Sequence, residues 1–410
     1  MPMEFNWARS HQYGAARLAS PATVDEARAL VAGAERVRPL GTRHSFTGIA
    51  DTPGLLLSTA ALPMDLVLDE AAGTVTVGGG ARYGEVAVAL DALGWALATM
   101  ASLPHISVAG AVATGTHGSG DRTGSLAAGV RAVEIIGPDG TLRRVARGEP
   151  DFAGSVVALG ALGVVTRVTL DVEPSYVVRQ AVYRDLPWSR VETDFDALTG
   201  AAYSVSLFVD WDTDRIAQVW LKSRGTPPAE LFGVAAADEP VHMLAGASTE
   251  AVTGQQGVPG PWHERLPHFR LAFTPSRGEE LQSEYLVPRE AVPAAFAALR
   301  PLGPRIASVL QISELRTVAA DDLWLSPAYG TDVVGIHFTW VKDADRVYAL
   351  LPDIEAALLP LGARPHWGKC FATTDVAGRY PRMADFRALR ARVDPTGKFG
   401  NAMVDDLLNP

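Results

Sequence analysis

Cysteine is almost absent from this chain of 410 residues, where Cys370 stands alone. A single thiol excludes an intramolecular disulfide and any cysteine-cluster metal site, so the fold does not depend on an oxidising compartment. Long apolar runs are missing too. The longest, such as 155–165 (SVVALGALGVV), carry glycines and fall short of the roughly 18 residues a membrane helix needs. No basic stretch leading into an apolar one is seen over Met1–Ser10, so no secretory leader is expected. The chain reads as a soluble, cytoplasmic monomer. Positive charge is in deficit, 36 Lys and Arg against 46 Asp and Glu, for a formal net charge of −10. That balance disfavours a nucleic-acid partner, because phosphate backbones are held by Lys and Arg.

Familiar catalytic signatures are lacking as well. Gly78, Gly80 and Gly84 give G-x-G-x-x-x-G, one residue too long for the dinucleotide fingerprint, and no acidic residue follows at the usual place. Gly368-Lys369 runs into Cys370 rather than Ser or Thr and is no P-loop. His263 and His268 miss the i, i+4 spacing of a zincin helix by one position, with Pro267 between them, so no metal is expected. No G-x-S-x-G occurs.

What is present is a globular composition, 48% hydrophobic and 20% charged, in a length that suits two or three domains at about 150 residues each. Up to Glu173-Pro174, short strands (36–40, 55–58, 74–77, 130–136, 164–172) alternate with helices (24–32, 83–93, 152–159), and glycines sit at the strand ends. Beyond it come a hairpin over 203–211 and 215–222, strands at 281–287, 307–318 and 332–341, and helices at 289–299 and 343–359. That order predicts a large antiparallel sheet with helices on one face. The aperiodic stretch 224–262 reads as a surface or lid loop. The class is α+β with two domains, 1–174 and 175–365, and a segment 366–410 that returns to the first.

Two segments invite a ligand. The loop Gly41-Thr42-Arg43-His44-Ser45-Phe46 offers backbone N–H groups and hydroxyls suited to a pyrophosphate. Ala101–Gly120 has little side-chain bulk, with hydroxyls at Ser102, Ser107, Thr114 and Thr116. It would accommodate a flat or elongated ligand, or else be a tight Gly-rich connection. In the second domain, alternation sets Leu310, Ile312, Glu314, Arg316 and Val318 on one strand face. On the next strand it sets His337 and Thr339 opposite Val334, Ile336, Phe338 and Trp340. A lone buried Glu is costly, so Glu314 and Arg316 must be paired with each other or with a polar ligand. His366-Trp367-Gly368-Lys369 adds a cation in another Gly/aromatic segment.

The loop GTRHSF, the segment LPHISVAGAVATGTHGSG, the pair Glu314-x-Arg316 and the tetrad HWGK together resemble the sugar-alcohol branch of the vanillyl-alcohol-oxidase-type flavoproteins. The likeness runs from Asn6 to near the C-terminus. It implies an FAD-binding domain and a substrate (cap) domain built on a large antiparallel sheet. FAD would be attached covalently through a ring nitrogen of His44 to the flavin 8α-methyl group, with Gly41, Thr42, Arg43 and Ser45 in the pyrophosphate loop. Ser102, Ser107, Gly110, Thr114, Gly115, Thr116, His117 and Val165 would line it, and His366 would reach it from the second domain. Ser102, Glu314, Arg316, Thr339 and Lys369 would bind a polyol. One departure is Arg43, where the family usually has Gly, at a turn that favours positive φ.

The implied reaction oxidises the terminal primary alcohol of an alditol such as xylitol or sorbitol to the aldehyde, with O₂ reduced to H₂O₂. The alternative is an aldonolactone oxidase or dehydrogenase, which shares the linking His, the Glu-x-Arg pair and the tetrad. Removing the hydroxyl proton near neutral pH suits a neutral His, so His337 is expected as base with Lys369 as orienter or competing base. Arg316 would stabilise the developing alkoxide or the reduced flavin anion, and Glu314, acceptor-only when ionised, would favour polyols over simple alcohols.

Overall fold

The computed structural model describes residues 4–273 and 278–408, so the first three residues of the Met1–Ser10 stretch lie outside it. Short apolar strands broken by glycine build two small sheets in the N-terminal region. Arg17–Ala19, Leu55–Ser58 and Val37–Leu40 pair in parallel, with Leu55–Ser58 in the middle. The helix Val24–Ala32, capped by the Thr23 hydroxyl accepting from the Glu26 N–H, buries Ala27 and Val31 against them. Five antiparallel strands follow in the order Val67–Asp69, Thr74–Gly78, Val164–Asp171, Val130–Ile136, Leu142–Ala146. Along Val164–Asp171, alternate residues Val164, Thr166, Val168 and Leu170 are buried, the period-2 signature of a one-sided strand. Gly80 is obligatory where the chain leaves this sheet, because a Cβ there would overlap the Thr59 carbonyl.

Beyond Pro174 the chain forms one eight-stranded antiparallel sheet. Its order is Pro259–Pro261, Val177–Pro187, Arg215–Ser223, Ser204–Val209, Leu310–Val318, Val333–Val341, Glu280–Pro288, Arg364–Pro365. The helices Val292–Leu299 and Ala344–Leu358 cover its back, where Leu281, Tyr285, Leu315, Ile336, Phe338 and Trp340 share a core with Phe296, Leu351 and Ile354. The residues between them in sequence therefore face forward, toward the N-terminal region.

The strand Val177–Pro187 has no counterpart in the sequence reading, and four of the expected elements take a different form. Glu173–Pro174 does more than end a strand, since it pairs with Trp95–Ala96 in a ribbon. Position 307 lies in a short helix, Gly303–Ala307, started by Pro304, so the strand begins only at Leu310. The helix expected over 152–159 stops at Val156, and Leu159 turns away with φ of 55°. The stretch 224–262 is not a surface loop throughout. Met243 and Val252 are buried on the front of the sheet against Val182, Phe208 and Trp220, too few apolar residues to show a period but enough to anchor the segment.

The last segment closes the molecule. Helices Met383–Val393 and Ala402–Leu408 place Phe386, Leu389 and Val404 in the same core as Phe152 and Val156. The Val37 N–H donates to the Lys398 carbonyl, and the Asn401 amide donates to the carbonyls of Gly48, Ile49 and Asp51. Fully buried Arg38 gives its guanidinium to the carbonyls of Phe399, Ile49 and Leu159. Among the described residues no helix is long and apolar enough to cross a membrane.

Candidate active site

A cavity of about 590 Å³ lies between the N-terminal loops and the front of the eight-stranded sheet. On the loop side, the strand Val37–Leu40 delivers the chain into Gly41, where a Cβ would overlap Ser107 Oγ. The Ser107 N–H donates to Thr42 Oγ1 at 3.1 Å, which locks the two small-residue segments together. Arg43 sits in the left-handed region with φ of 65° and is held by Glu4 at 3.2 Å. His44 stacks on Trp7 with ring centroids 5.2 Å apart, and its buried Nδ1 has no hydrogen-bond partner among the described residues. Burial lowers its pKa to about 4, so at neutral pH the ring is uncharged and keeps a free lone pair.

Gly41, Thr42, Arg43, His44 and Ser45 all border this cavity, as do Ser102, Ser107, Gly110, Thr114, Thr116, His117, Val165 and His366. Glu314, Arg316, His337, Thr339 and Lys369 border it from the sheet side. Gly115 lies between Thr114 and Thr116 on this border and turns with φ of 66°; a Cβ there would meet Pro327 at 2.9 Å, so the turn after the helix Val108–Ala113 requires glycine.

The polar wall is made by three neighbouring strands in register. Glu314 stands opposite His337, His337 opposite Glu284, and Thr339 opposite Gln282. At its centre is the buried Glu284 carboxylate. Its Oε2 lies 2.5 Å from Lys369 Nζ and its Oε1 3.0 Å from Arg316 Nη2. His117 Nε2 lies 3.2 Å from the same Oε1 but without hydrogen-bond alignment. Burial alone would raise the Glu284 pKa, but Lys369, Arg316 and His117 hold it well below the usual carboxylate range. Arg316 Nη1 donates to Ser102 Oγ at 3.2 Å, and its Nε stands 3.6 Å from Glu314 Oε2. Glu314 is likewise kept ionised, against burial, by Arg316 and His268. His337 Nδ1 is 2.8 Å from Lys369 Nζ, and its Nε2 is 3.0 Å from Thr339 Oγ1. Burial and then Lys369 push its pKa well below that of an ordinary His, so the ring is neutral.

Two residues of this wall escaped the sequence reading. Glu284 carried a usable signal, because Leu281, Tyr285 and Val287 alternate as a core face and leave Gln282 and Glu284 on the other. His268 carried none, since it comes from an irregular stretch, yet its Nε2 lies 2.7 Å from Glu314 Oε1. The His263 that paired with it in the discarded zinc motif is elsewhere, 3.5 Å from Asp91. Among the described residues no group of three His, Cys, Asp or Glu is placed to hold a metal.

Residues 15–146 match the family described as FAD binding domain, and residues 273–407 match the family described as D-arabinono-1,4-lactone oxidase. The structure superposes on cholesterol oxidase from Brevibacterium sterolicum with a TM-score of 0.79 at 16% identity, covering 99% of this chain and 96% of that one. The fold is the two-domain architecture of the vanillyl-alcohol-oxidase-type flavoproteins. In sequence, alditol oxidase from a Streptomyces species is 50% identical over 98% of each chain. L-gulono-1,4-lactone dehydrogenase from Mycobacterium tuberculosis is 27% identical over 100% of each. The chain belongs to the alditol oxidase family within that class.

Proposed function

We propose that this protein is an FAD-dependent oxidase that converts the terminal primary alcohol of an alditol such as xylitol or sorbitol to the aldose, with O₂ taken to H₂O₂. The carrying observation is a buried wall that reads hydroxyls, with ionised Glu314 beside Arg316, Thr339 and Ser102, in a chain half identical to an alditol oxidase. Residues 1–174 act as the FAD-binding domain, 175–365 as the substrate domain, and 366–410 as the segment that returns to the flavin. The reading extends to a monomer of the cytoplasm, a compartment compatible with one reduced, buried cysteine.

The residues fit the cofactor. His44 offers an unpartnered, neutral ring nitrogen for a bond to the flavin 8α-methyl group, and the Gly41–Ser45 loop with Ser107, Gly110, Thr114, Thr116, His117, Val165 and His366 forms the cradle. When bound, FAD would supply the redox chemistry, hydride acceptance and the reduction of O₂.

The chain's own residues position the alcohol and move its proton. Arg316, steadied by Glu284 and Ser102, stabilises the alcohol oxygen as negative charge develops. Glu314 accepts from an inner hydroxyl, and Thr339 adds a second polar contact. Lys369 Nζ lies 2.8 Å from His337 Nδ1, so the two act on the hydroxyl proton as a pair, His337 as the base and Lys369 as its orienter or as a competing base. Glu284 offsets the added positive charge.

Substrate screening by H₂O₂ release tests the assignment, with turnover of xylitol and sorbitol as the expected result. Turnover confined to L-gulono-1,4-lactone overturns it in favour of an aldonolactone enzyme, the reading that the match over residues 273–407 supports. Acid precipitation tests the link to His44. Yellow colour should remain with the pellet, and its complete release to the supernatant rejects the bond.

A further inference from the structure

Behind Glu314 a buried polar chain runs through His268 to Lys222 on the strand Arg215–Ser223. Lys222 is 1% exposed. Its ammonium donates to the carbonyls of Leu266 and Pro267, the latter at 3.2 Å, and lies 3.0 Å from His268 Nδ1. An ammonium has three donors and no acceptor, and three acceptors surround this one. Nδ1 of His268 therefore accepts, its ring proton sits on Nε2, and Nε2 donates to Glu314 Oε1 at 2.7 Å. Phe208 and Trp220, with centroids 5.6 and 5.1 Å from the imidazole, hold the ring in place. Glu314 Oε2 is left to the cavity, with Arg316 Nε 3.6 Å away, beyond hydrogen-bond reach.

We propose that Lys222 and His268 are positioning residues for substrate recognition: Lys222 keeps His268 neutral and fixed in one tautomer, so that His268 holds one oxygen of Glu314 and the other, with the carboxylate charge intact, takes the polyol hydroxyls. This rests on the assignment of Glu314 as a polyol-binding residue. The charged groups facing His268 are Lys222, Glu314 and Arg316; burial and then Lys222 bring its pKa to about 4, against the pull of Glu314.

Removing the Lys222 charge lets the pKa of His268 rise toward the value an adjacent carboxylate favours. As pH falls through that value the ring becomes an imidazolium paired with Glu314, and the oxygen facing the cavity becomes a poorer acceptor. The intact protein escapes this. Burial lowers Lys222 to about 7, with Glu314 opposing, so Lys222 is charged on the acid side, where His268 would otherwise protonate.

The test is the KM for xylitol, measured on the holoenzyme by H₂O₂ release from about pH 8 to about pH 6, the range in which His charge changes. In Lys222→Met, KM should climb about ten-fold more than in the wild type toward the acid end, the size of one lost charge-assisted hydrogen bond, with kcat changing far less. The added pH dependence should vanish when His268→Asn is combined with Lys222→Met, and Lys222→Arg should restore the wild-type profile. A Lys222→Met profile parallel to the wild type, with Glu314→Gln raising KM, overturns the relay and leaves the Glu314 assignment standing. An unchanged KM in Glu314→Gln overturns both. Should Lys222→Met fail to fold, ¹⁵N-histidine spectra of the wild type decide: a neutral Nε2–H pattern for His268, assigned by its loss in His268→Asn, supports the proposal, and an imidazolium pattern overturns it.

Discussion

Glu284→Gln is the substitution with the largest expected consequence, because one buried carboxylate neutralises two buried cations. Lys369 Nζ and Arg316 Nη2 lie 2.5 and 3.0 Å from its two oxygens, and the Glu284 side chain is 1% exposed. The amide keeps the shape but removes the charge, leaving Lys369 and Arg316 with no other carboxylate at hydrogen-bonding distance among the described residues. Breaking a buried ion pair by removing one partner costs about 3–5 kcal/mol. With an unfolding entropy of about 2.1 cal/mol/K per residue, that loss lowers the Tm of a chain this long by about 3–6 °C. The catalytic effect should be larger, since both cations lose the anchor that aims them, and anaerobic flavin reduction by xylitol should slow by at least about 10²-fold. The pH dependence gives a further check. Glu284 titrates below its unfolded value, so its contribution is complete above about pH 4.3 and is lost only as pH falls through the lower folded-state value. The gap in stability between wild type and variant should therefore not narrow between about pH 7 and about pH 5. A variant with the wild-type Tm and reduction rate, or a gap that closes within that interval, refutes the reasoning.

If His337 and Lys369 share the proton transfer as proposed, His337→Ala and Lys369→Met should each slow anaerobic flavin reduction by about 10²–10⁴-fold; an unchanged rate in either removes that residue from the path. His44→Ala should release all yellow colour on acid precipitation while the protein remains folded, and acid-stable flavin in this variant would place the link elsewhere. Arg43→Gly relieves a left-handed φ but loses the Glu4 contact and gains unfolded-state entropy, so thermal unfolding should show a net change within about 1 kcal/mol. A collapse of stability would show that Arg43 holds the loop by more than these terms.

The face assignments were legible because they rest on period 2. Val334, Ile336, Phe338 and Trp340 as a core stripe oblige His337 and Thr339 to face the other way, and the structure keeps that division. The same rule applies to Glu280–Pro288, where Leu281, Tyr285 and Val287 as a core face oblige Gln282 and Glu284 to face the other way. Lys222 is reached by it too, since Val219 and Leu221 as a core stripe oblige Trp220 and Lys222 to face the other way, but His268 is beyond such rules. His268 belongs to a stretch whose path is set by Met243, Val252 and Trp220 packing together, contacts between residues far apart in the chain that leave no local pattern. Gly115 shows a different limit, since a glycine in a small-residue segment looks the same whether ligand or backbone geometry requires it.

The closing strap couples two regions that lie far apart in the sequence. Val37, Arg38, Gly48 and Ile49 flank the loop that carries His44, and they are tied to Lys398, Phe399 and Asn401, while the Phe46 N–H donates to the Gly368 carbonyl. The loop that carries His44 therefore takes its shape from partners far along the chain, so the cavity it borders forms only when the two regions have folded together, and loosening either one would loosen the other.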